Sequence, residues 1–296
     1  MMKKSVFSAV FLASLCAIWL GSDLIMTRTE PATHIKYFPK NDYDITLIKH
    51  PEKDWDKVFF GSSVVVSSFI EEESESGFIN FGIDYGTVSD IYNALDKGIV
   101  SIDSELVVGL NHIALLDTLP TNATYPWHKK WYQHYIYFKR DNIYPAVSSA
   151  FDNLLSLKSP TDGLATYENS QKFLYYGTLT DEEIQVAFNN MVDRFGGSTL
   201  NDCKDNFSDL KKLIKLCKER NIRLRFVWMP WNPDLPLYDF CDKMMAETNK
   251  ILEENNIEVF DMTRQLERQE FYDIGHISYP DGAKTFTHEL DEFLMK

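Results

Sequence analysis

Short apolar runs alternate with amphipathic segments along most of the chain, and this rhythm predicts strands and helices that follow one another. Five runs are apolar enough to form buried strands: Lys57–Phe60, Phe78–Gly82, Glu105–Gly109, Ile222–Met229 and Ile257–Phe260. Between them, apolar residues recur every three or four positions, as in Leu210, Leu213, Ile214 and Cys217. Such alternation is typical of proteins whose parallel sheet is covered by helices. We therefore predict an α/β fold with a mainly parallel, five-stranded sheet.

A long apolar segment follows two lysines at the N-terminus. Lys3 and Lys4 precede an uncharged run from Ser5 to Leu20, which continues past Asp23 to Met26. The run is about as long as the lower limit for a spanning helix, and the lysines keep the N-terminus on the cytoplasmic side. We predict that residues 1–26 form a signal anchor in the cell membrane, with the rest of the chain on the extracytoplasmic side. A cleaved signal peptide, which would give a secreted protein, is the alternative.

The remaining sequence divides into a tether and one domain. Residues 27–54 read as a polar tether, and residues 55–296 as a single α/β domain with an insertion at about 119–197 that does not follow the strand–helix rhythm. The insertion is rich in aromatic residues: Trp127, Trp131, Tyr132, Tyr135, Tyr137 and Phe138. It is interpreted either as a lid or binding surface, or as a helical subdomain that packs these rings into its own core.

The composition limits the classes of partner. Acidic residues outnumber basic ones by 44 to 30, which gives a net charge of −14. Such a surface repels phosphate backbones, so nucleic acid is not expected as a partner. The cysteines outside the apolar segment are Cys203, Cys217 and Cys241, and their spacing fits no compact metal cage. We predict neither a metal site nor a cofactor.

Small and polar residues follow each of the first three predicted strands. A Gly-Ser-Ser motif occupies residues 61–63 after the first strand, Gly86 follows the second, and Asn111 follows the third. Because the carboxyl ends of parallel strands share one edge of a sheet, these residues can converge. Gly82 is an alternative to Gly86. Each residue alone is common in turns and caps, so the information lies in their order.

A fourth segment, Tyr272–His276, precedes the last predicted helix. Its spacing lets one loop present Asp273 and His276 together. In such a pair the histidine takes the proton of a serine hydroxyl, while the carboxylate orients the ring and stabilises the imidazolium. Ser63 is the candidate nucleophile, because it lies between a strand and a helix; Ser62 is the alternative.

In this order the four segments resemble the four sequence blocks of the SGNH-hydrolase superfamily. The ending YDIGHISYPDGAKTFT is particularly similar to the exported envelope branch of that superfamily, which includes DltD-type D-alanine transfer proteins and alginate O-acetylation proteins. The resemblance covers about residues 55–115 and 205–296. It implies a three-layer α/β/α sandwich of flavodoxin-like type.

The resemblance also implies roles for single residues. By this resemblance Ser63 is the nucleophile, His276 is the base, and Asp273 is the carboxylate partner of His276. The Ser63 N–H, the Gly86 N–H and the Asn111 side-chain amide would form the oxyanion hole.

The function implied is that of a membrane-anchored, exported serine esterase or O-acyltransferase. It would act on an acylated cell-envelope glycan or polymer through an acyl-serine intermediate, and a membrane-bound acyltransferase is a candidate partner. The alternative is a catalytically silent envelope protein that uses the same cleft to bind a glycan or a partner.

Overall fold

The computed structural model describes residues 4–29, 41–52, 54–122, 125–129, 143–162 and 174–296. They belong to two compact units: one comprises residues 1–44 and 123–171, and the other residues 45–122 and 172–296. The second unit carries the sheet and all of the predicted site residues.

A five-stranded, wholly parallel sheet forms the centre of the second unit. Its strands are β1 (Asp54–Gly61), β2 (Ile79–Gly82), β3 (Ser101–Leu110), β4 (Arg223–Trp228) and β5 (Glu258–Asp261). They lie in the order β2-β1-β3-β4-β5, which is the order of flavodoxin-like folds. The predicted fold class is confirmed, and each of the five predicted strands is present.

Helices cover both faces of this sheet. They are α3 (Ser63–Ser68), α4 (Val88–Asp96), α7 (Lys204–Glu219), α8 (Asp239–Glu254) and α9 (Asp281–Leu294). Another helix, α6 (Asp181–Phe195), lies within the predicted insertion. Helices α3 and α9 share one apolar core with Phe59, Val107 and Val227 of the strands. Helices α4 and α7 contact each other and form the layer on the other face. Short 3₁₀ turns cover Glu71–Glu73, Pro126–His128, Leu200–Cys203 and Arg268–Glu270.

The register of the strands brings their carboxyl ends to one edge. Gly61, the last residue of β1, pairs with Gly82 of β2 and with Gly109 of β3. Leu110 of β3 in turn pairs with Trp228 of β4. The residues that follow these strands therefore emerge side by side, as the sequence predicts.

Arg225 of β4 ties the sheet to the end of the last helix. Its side chain is buried, and its Nε lies 2.5 Å from Oε1 of the equally buried Glu105 on β3. Its two remaining nitrogens donate to the carbonyls of Phe293, at 2.6 Å, and Leu294, at 2.9 Å. These bonds satisfy carbonyl groups that the end of a helix leaves without partners.

The N-terminal segment forms a single long helix, α1 (Lys4–Thr29). Its Val6–Met26 stretch has a mean hydropathy of 1.9, and most of its large apolar side chains are exposed. The helix is long and apolar enough to span a membrane or to act as a signal anchor.

Parts of the predicted tether and insertion are also helical. Helix α2 (Asp42–Lys49) occupies the end of the predicted tether, and α5 (Ile143–Leu155) lies in the predicted insertion. Trp127 is buried, with its ring centroid 5.3 Å from that of Tyr43. The other aromatic residues named for the insertion lie outside the described residues: Trp131, Tyr132, Tyr135, Tyr137 and Phe138.

Candidate active site

A serine, a histidine and an aspartate form one hydrogen-bonded chain at the carboxyl edge of the sheet. The Ser63 Oγ lies 2.9 Å from the His276 Nε2, and the His276 Nδ1 lies 2.8 Å from the Asp273 Oδ2. Both distances are those of good hydrogen bonds. The structure thus brings together the three residues that the sequence predicts as nucleophile, base and carboxylate.

The loop that carries Asp273 and His276 is held by its own carboxylate. The Asp273 Oδ1 accepts the backbone N–H of Gly275 at 3.0 Å and that of His276 at 2.9 Å. Burial by itself raises the pKa of Asp273, but the charge and hydrogen bond of His276 and these backbone donors outweigh it, so the pKa lies below its usual value. The carboxylate therefore stays ionised at neutral pH and can stabilise an imidazolium.

Asn232, which follows β4, fastens this loop to the sheet. Its backbone N–H donates to the Ile274 carbonyl at 2.9 Å, and its side-chain amide donates to the Asp273 carbonyl at 3.1 Å. The residue is completely buried. Sequence reasoning missed Asn232, although its place just beyond a predicted strand is the same signal that identified Asn111.

The two serines of the Gly-Ser-Ser motif have different partners. Ser63 is the first residue of α3, and Ser62 precedes it in an extended conformation. The Ser62 Oγ is buried and accepts a hydrogen bond from the Asn111 Nδ2 at 2.9 Å. Ser63, and not Ser62, therefore faces the histidine, while Ser62 orients the amide that is predicted for the oxyanion hole.

The predicted roles imply that replacing Ser62 with alanine slows acylation of Ser63 about tenfold without unfolding the protein. The Asn111 amide would lose the acceptor of its Nδ2 group and keep only the bond that its Oδ1 accepts from the Ile113 N–H. An oxyanion donor contributes less when it is held less firmly. The measurement is the rate of reaction with an activated ester. Ser67→Ala is the matched control, since the Ser67 Oγ is equally buried but donates only to the Val64 carbonyl. Equal rates for both variants would contradict the role given to Ser62.

Glycines allow the first three strand ends to approach closely. A Cβ on Gly61 would lie 2.8 Å from the Gly109 carbonyl oxygen, and one on Gly86 would lie 2.7 Å from the Gly61 carbonyl oxygen. Such distances leave no room for a side chain. Gly86 therefore lies beside the Gly-Ser-Ser motif.

The predicted backbone donors of the oxyanion hole differ in their availability. The Ser63 N–H is in the first turn of α3, where N–H groups have no acceptor within the helix. The Gly86 N–H donates to the Ile83 carbonyl at 3.0 Å, and the N–H of the alternative, Gly82, donates to the Asn80 Oδ1 at 2.9 Å. The Asn111 amide gives one of its two N–H groups to Ser62 and keeps the other. The Ser63 N–H and this second Asn111 N–H are therefore the better placed donors, and the contribution of Gly86 stays a prediction.

An aromatic ring that the sequence did not reveal covers the histidine. The Tyr175 ring is stacked on the His276 imidazole, with a centroid separation of 4.0 Å and an interplanar angle of 21°. The Tyr272 ring lies 5.0 Å from that of Tyr175. No motif surrounds Tyr175, and it lies in the stretch where the strand–helix rhythm is absent.

His112, next to Asn111, is buried in an aromatic environment behind the site. Its ring centroid lies 5.1 Å from that of Trp231 and 6.2 Å from that of Trp228. Burial and the positive charge of Arg264 lower the pKa of His112 to about 4, although Asp261 opposes them. The side chain is therefore neutral in the folded protein at neutral pH.

The buried His112 is expected to make the protein acid-sensitive. An unfolded chain binds a proton at this residue below about pH 6.5, whereas the folded state does so only near its pKa of about 4. The contribution of neutral His112 to stability is therefore fully present above the pKa of the unfolded state. It is lost as the pH falls from about 6.5 to about 4, by on the order of 3 kcal/mol. The check is urea unfolding of the full chain in detergent at pH 7 and 4.5. His112→Gln should lose less stability over this interval, and an equal loss would refute the assignment.

The described residues offer no evident metal centre. Among them, no group of three or more His, Cys, Asp or Glu side chains could hold an ion. Burial raises the pKa of the Cys203, Cys217 and Cys241 thiols to about 12. These thiols are therefore protonated at neutral pH, and a protonated thiol is a poor metal ligand.

Comparisons with known proteins show a likeness to solved structures. A scan with protein-family models finds no match, and a search of curated protein sequences finds none either. Among solved structures, the chain is similar to a "putative acylhydrolase" from Bacteroides fragilis. The two are 12% identical in sequence, the TM-score is 0.40, and the match covers 84% of this chain and 95% of the other. A function for the chain therefore has to rest on the geometry of the site.

Proposed function

We propose that this protein is a membrane-anchored serine esterase or O-acyltransferase of the SGNH type. One observation carries the proposal: the Ser63 Oγ lies 2.9 Å from the His276 Nε2, whose ring is bonded at its other nitrogen to Asp273. A serine next to a histidine that a carboxylate orients is the arrangement that activates a hydroxyl for attack on an acyl carbon.

Acylation begins when the Ser63 Oγ attacks the carbonyl carbon of an ester. The His276 Nε2 takes the hydroxyl proton, and Asp273 stabilises the imidazolium that results. The negative oxygen of the tetrahedral intermediate is stabilised by the Ser63 N–H and the Asn111 amide. Collapse of the intermediate breaks the bond to the leaving alcohol, His276 returns the proton to that alcohol, and the acyl group remains on Ser63.

The second half-reaction decides between hydrolysis and transfer. His276 takes a proton from the incoming hydroxyl group, whose oxygen attacks the acyl-Ser63 carbonyl, and the same donors stabilise the second intermediate. Collapse of this intermediate breaks the bond between the acyl carbon and the Ser63 Oγ, and His276 returns the proton to Ser63. Water as the attacking group gives a free acid, whereas a sugar hydroxyl gives a new ester.

The N-terminal helix supports a place at the cell membrane. It carries a 21-residue apolar stretch that follows two lysines, which favours a cytoplasmic N-terminus and an extracytoplasmic catalytic domain. Together with the resemblance to envelope-modifying proteins, this favours an acylated envelope glycan or polymer as substrate, with a membrane-bound acyltransferase as a candidate supplier of acyl groups.

A fluorophosphonate probe tests the proposed nucleophile. The full chain in detergent should be labelled, and mass spectrometry should locate the label on Ser63. Ser63→Ala should abolish labelling, and Ser67→Ala, a buried serine of the same helix, should not. If the folded wild-type chain remains unlabelled, a silent glycan- or partner-binding protein becomes the better description.

A product analysis then separates hydrolysis from transfer. An activated acetyl ester is incubated with the chain in the presence and absence of a soluble oligosaccharide, and the products are weighed by mass spectrometry. Acetylated oligosaccharide that disappears in Ser63→Ala would establish transfer. Acetate alone would establish an esterase.

A further inference from the structure

Tyr175 covers the imidazole of the candidate base. Its ring lies nearly parallel to that of His276, at 21°, and the two centroids are 4.0 Å apart. Two edges of this imidazole are already occupied, because the Nε2 faces Ser63 and the Nδ1 faces Asp273. The tyrosine therefore contacts the ring by its face, which neither Ser63 nor Asp273 uses.

The backbone fixes Tyr175 in this place. The Tyr279 N–H donates to the Tyr175 carbonyl at 2.7 Å, and the Leu179 N–H donates to the Tyr272 carbonyl at 2.9 Å. Tyr176, the next residue, forms a parallel β-bridge with Tyr279. The segment 175–179 is thus bonded to residues on both sides of His276, and the stacking is built into the chain path rather than resting on the side chain alone.

The surroundings favour the ring of Tyr175, and not its hydroxyl, as the active group. Burial first, and then the neighbouring Asp273, Asp84, Tyr272 and Tyr85, raise the pKa of the Tyr175 phenol. The phenol therefore remains neutral across the working range of a histidine base and does not compete for the proton. What it offers His276 is the electron-rich face of an aromatic ring.

That face is useful because His276 gains a positive charge in each half-reaction. An aromatic face attracts a cation within about 6 Å of its centroid, and more strongly where water is excluded. A neutral imidazole gains less from the same contact. An interaction that is stronger in the charged transition state than in the resting state accelerates the reaction.

We propose that Tyr175 is a positioning residue for His276, whose ring holds the imidazole in line between Ser63 and Asp273 and stabilises its charged form during acyl transfer. The inference rests on the proposed function. It adds a fourth residue to the predicted triad, contributed by a segment that lies about 100 positions before the histidine in the sequence.

The test compares substitutions in the full chain in detergent by the second-order rate constant for fluorophosphonate labelling of Ser63. Tyr175→Leu removes the ring and is expected to lower the rate about tenfold. Tyr175→Phe keeps the ring and should stay within about threefold of wild type. Tyr176→Leu is the matched control, since the neighbouring Tyr176 packs against Tyr279 instead, and its rate should equal that of wild type.

Two further measurements test the stacking and the stabilisation of charge separately. In spectra of chain labelled with ¹³C-histidine, loss of the stacked ring should move the His276 ring-proton resonances downfield in Tyr175→Leu but not in Tyr175→Phe. If Tyr175→Leu does not fold, trifluorophenylalanine at position 175 keeps the size of the ring while it withdraws charge from its face. This variant should then react several-fold more slowly than Tyr175→Phe.

The outcomes separate this inference from the proposed function. An unlabelled wild-type chain would refute the proposed function itself. A labelled wild type with an equally reactive Tyr175→Leu variant would refute only the role of Tyr175. The stabilisation of charge by the ring is overturned if Tyr175→Phe slows labelling as much as Tyr175→Leu does, or if fluorination leaves the labelling rate unchanged.

Discussion

If the proposed function is correct, replacing His276 with alanine lowers the rate of ester turnover by about 10⁶-fold, as the loss of the base does in the serine protease subtilisin. The Ser63 hydroxyl would keep its position but would have no acceptor for its proton. The partly exposed imidazole contributes little to the apolar core, so the fold should persist. Turnover of an activated ester by the full chain in detergent, together with circular dichroism, measures both effects.

Two companion variants sharpen this prediction. Asp273→Asn should lower the rate of ester turnover less, by about 10⁴-fold, because it leaves the imidazole in place but favours the wrong tautomer. His288→Ala removes an exposed histidine of α9 and should leave the rate unchanged. A His276→Ala chain that unfolds, or one that keeps its activity, would mean that this histidine has a structural role instead.

Replacing Arg225 with methionine should destabilise the protein by about 3–5 kcal/mol. The substitution leaves Glu105 buried without its nearest positive partner. The carbonyls of Phe293 and Leu294 lose the bonds from Arg225, and the Phe293 carbonyl keeps the Lys296 N–H at 3.3 Å. A buried charge that has lost its partner costs far more than the ion pair itself contributes. The measurement is the urea dependence of unfolding of the full chain in detergent.

The same strand provides a matched control for this variant. Arg223 lies two residues earlier and its Nε is 3.6 Å from Glu105, but its side chain is 47% exposed and its closer partner is the exposed Glu258, at 3.2 Å. Solvent screens that pair, so Arg223→Met should cost less than about 1 kcal/mol. If the two variants lose similar amounts of unfolding free energy, the burial of the Arg225–Glu105 pair does not determine its contribution to stability. Adding Glu105→Leu to Arg225→Met should restore part of the stability.

The centre of the sheet was predictable because the second halves of β1, β3 and β4 are buried on both faces. A strand such as β3 has to be apolar almost throughout its second half, and that leaves a run that cannot be confused with an amphipathic helix. The convergence of Ser63 and Asn111 followed from the parallel arrangement, since successive strand ends then meet at one edge. Asp273 and His276 were found through their spacing and the resemblance of their surroundings.

The supporting residues could not be predicted in the same way. Tyr175 reaches His276 through the path of a segment without strand–helix periodicity, and such a path is set by tertiary contacts rather than by local pattern. Ser62 was weighed only as an alternative nucleophile, because the sequence does not say which serine of a turn faces inward. Asn232 carried a usable signal, its position after β4, but no motif distinguishes it from a capping residue.

The candidate triad is divided between the two ends of the α/β domain. Ser63 and His276 are 213 positions apart, and the histidine lies just before α9, which packs against α3 in the shared core. A nascent or truncated chain that lacks the segment beyond Tyr272 therefore possesses the serine but has no base to activate it. On the proposed function, Ser63 can therefore react only after the last helix has docked. The protein becomes active only when its folding is complete.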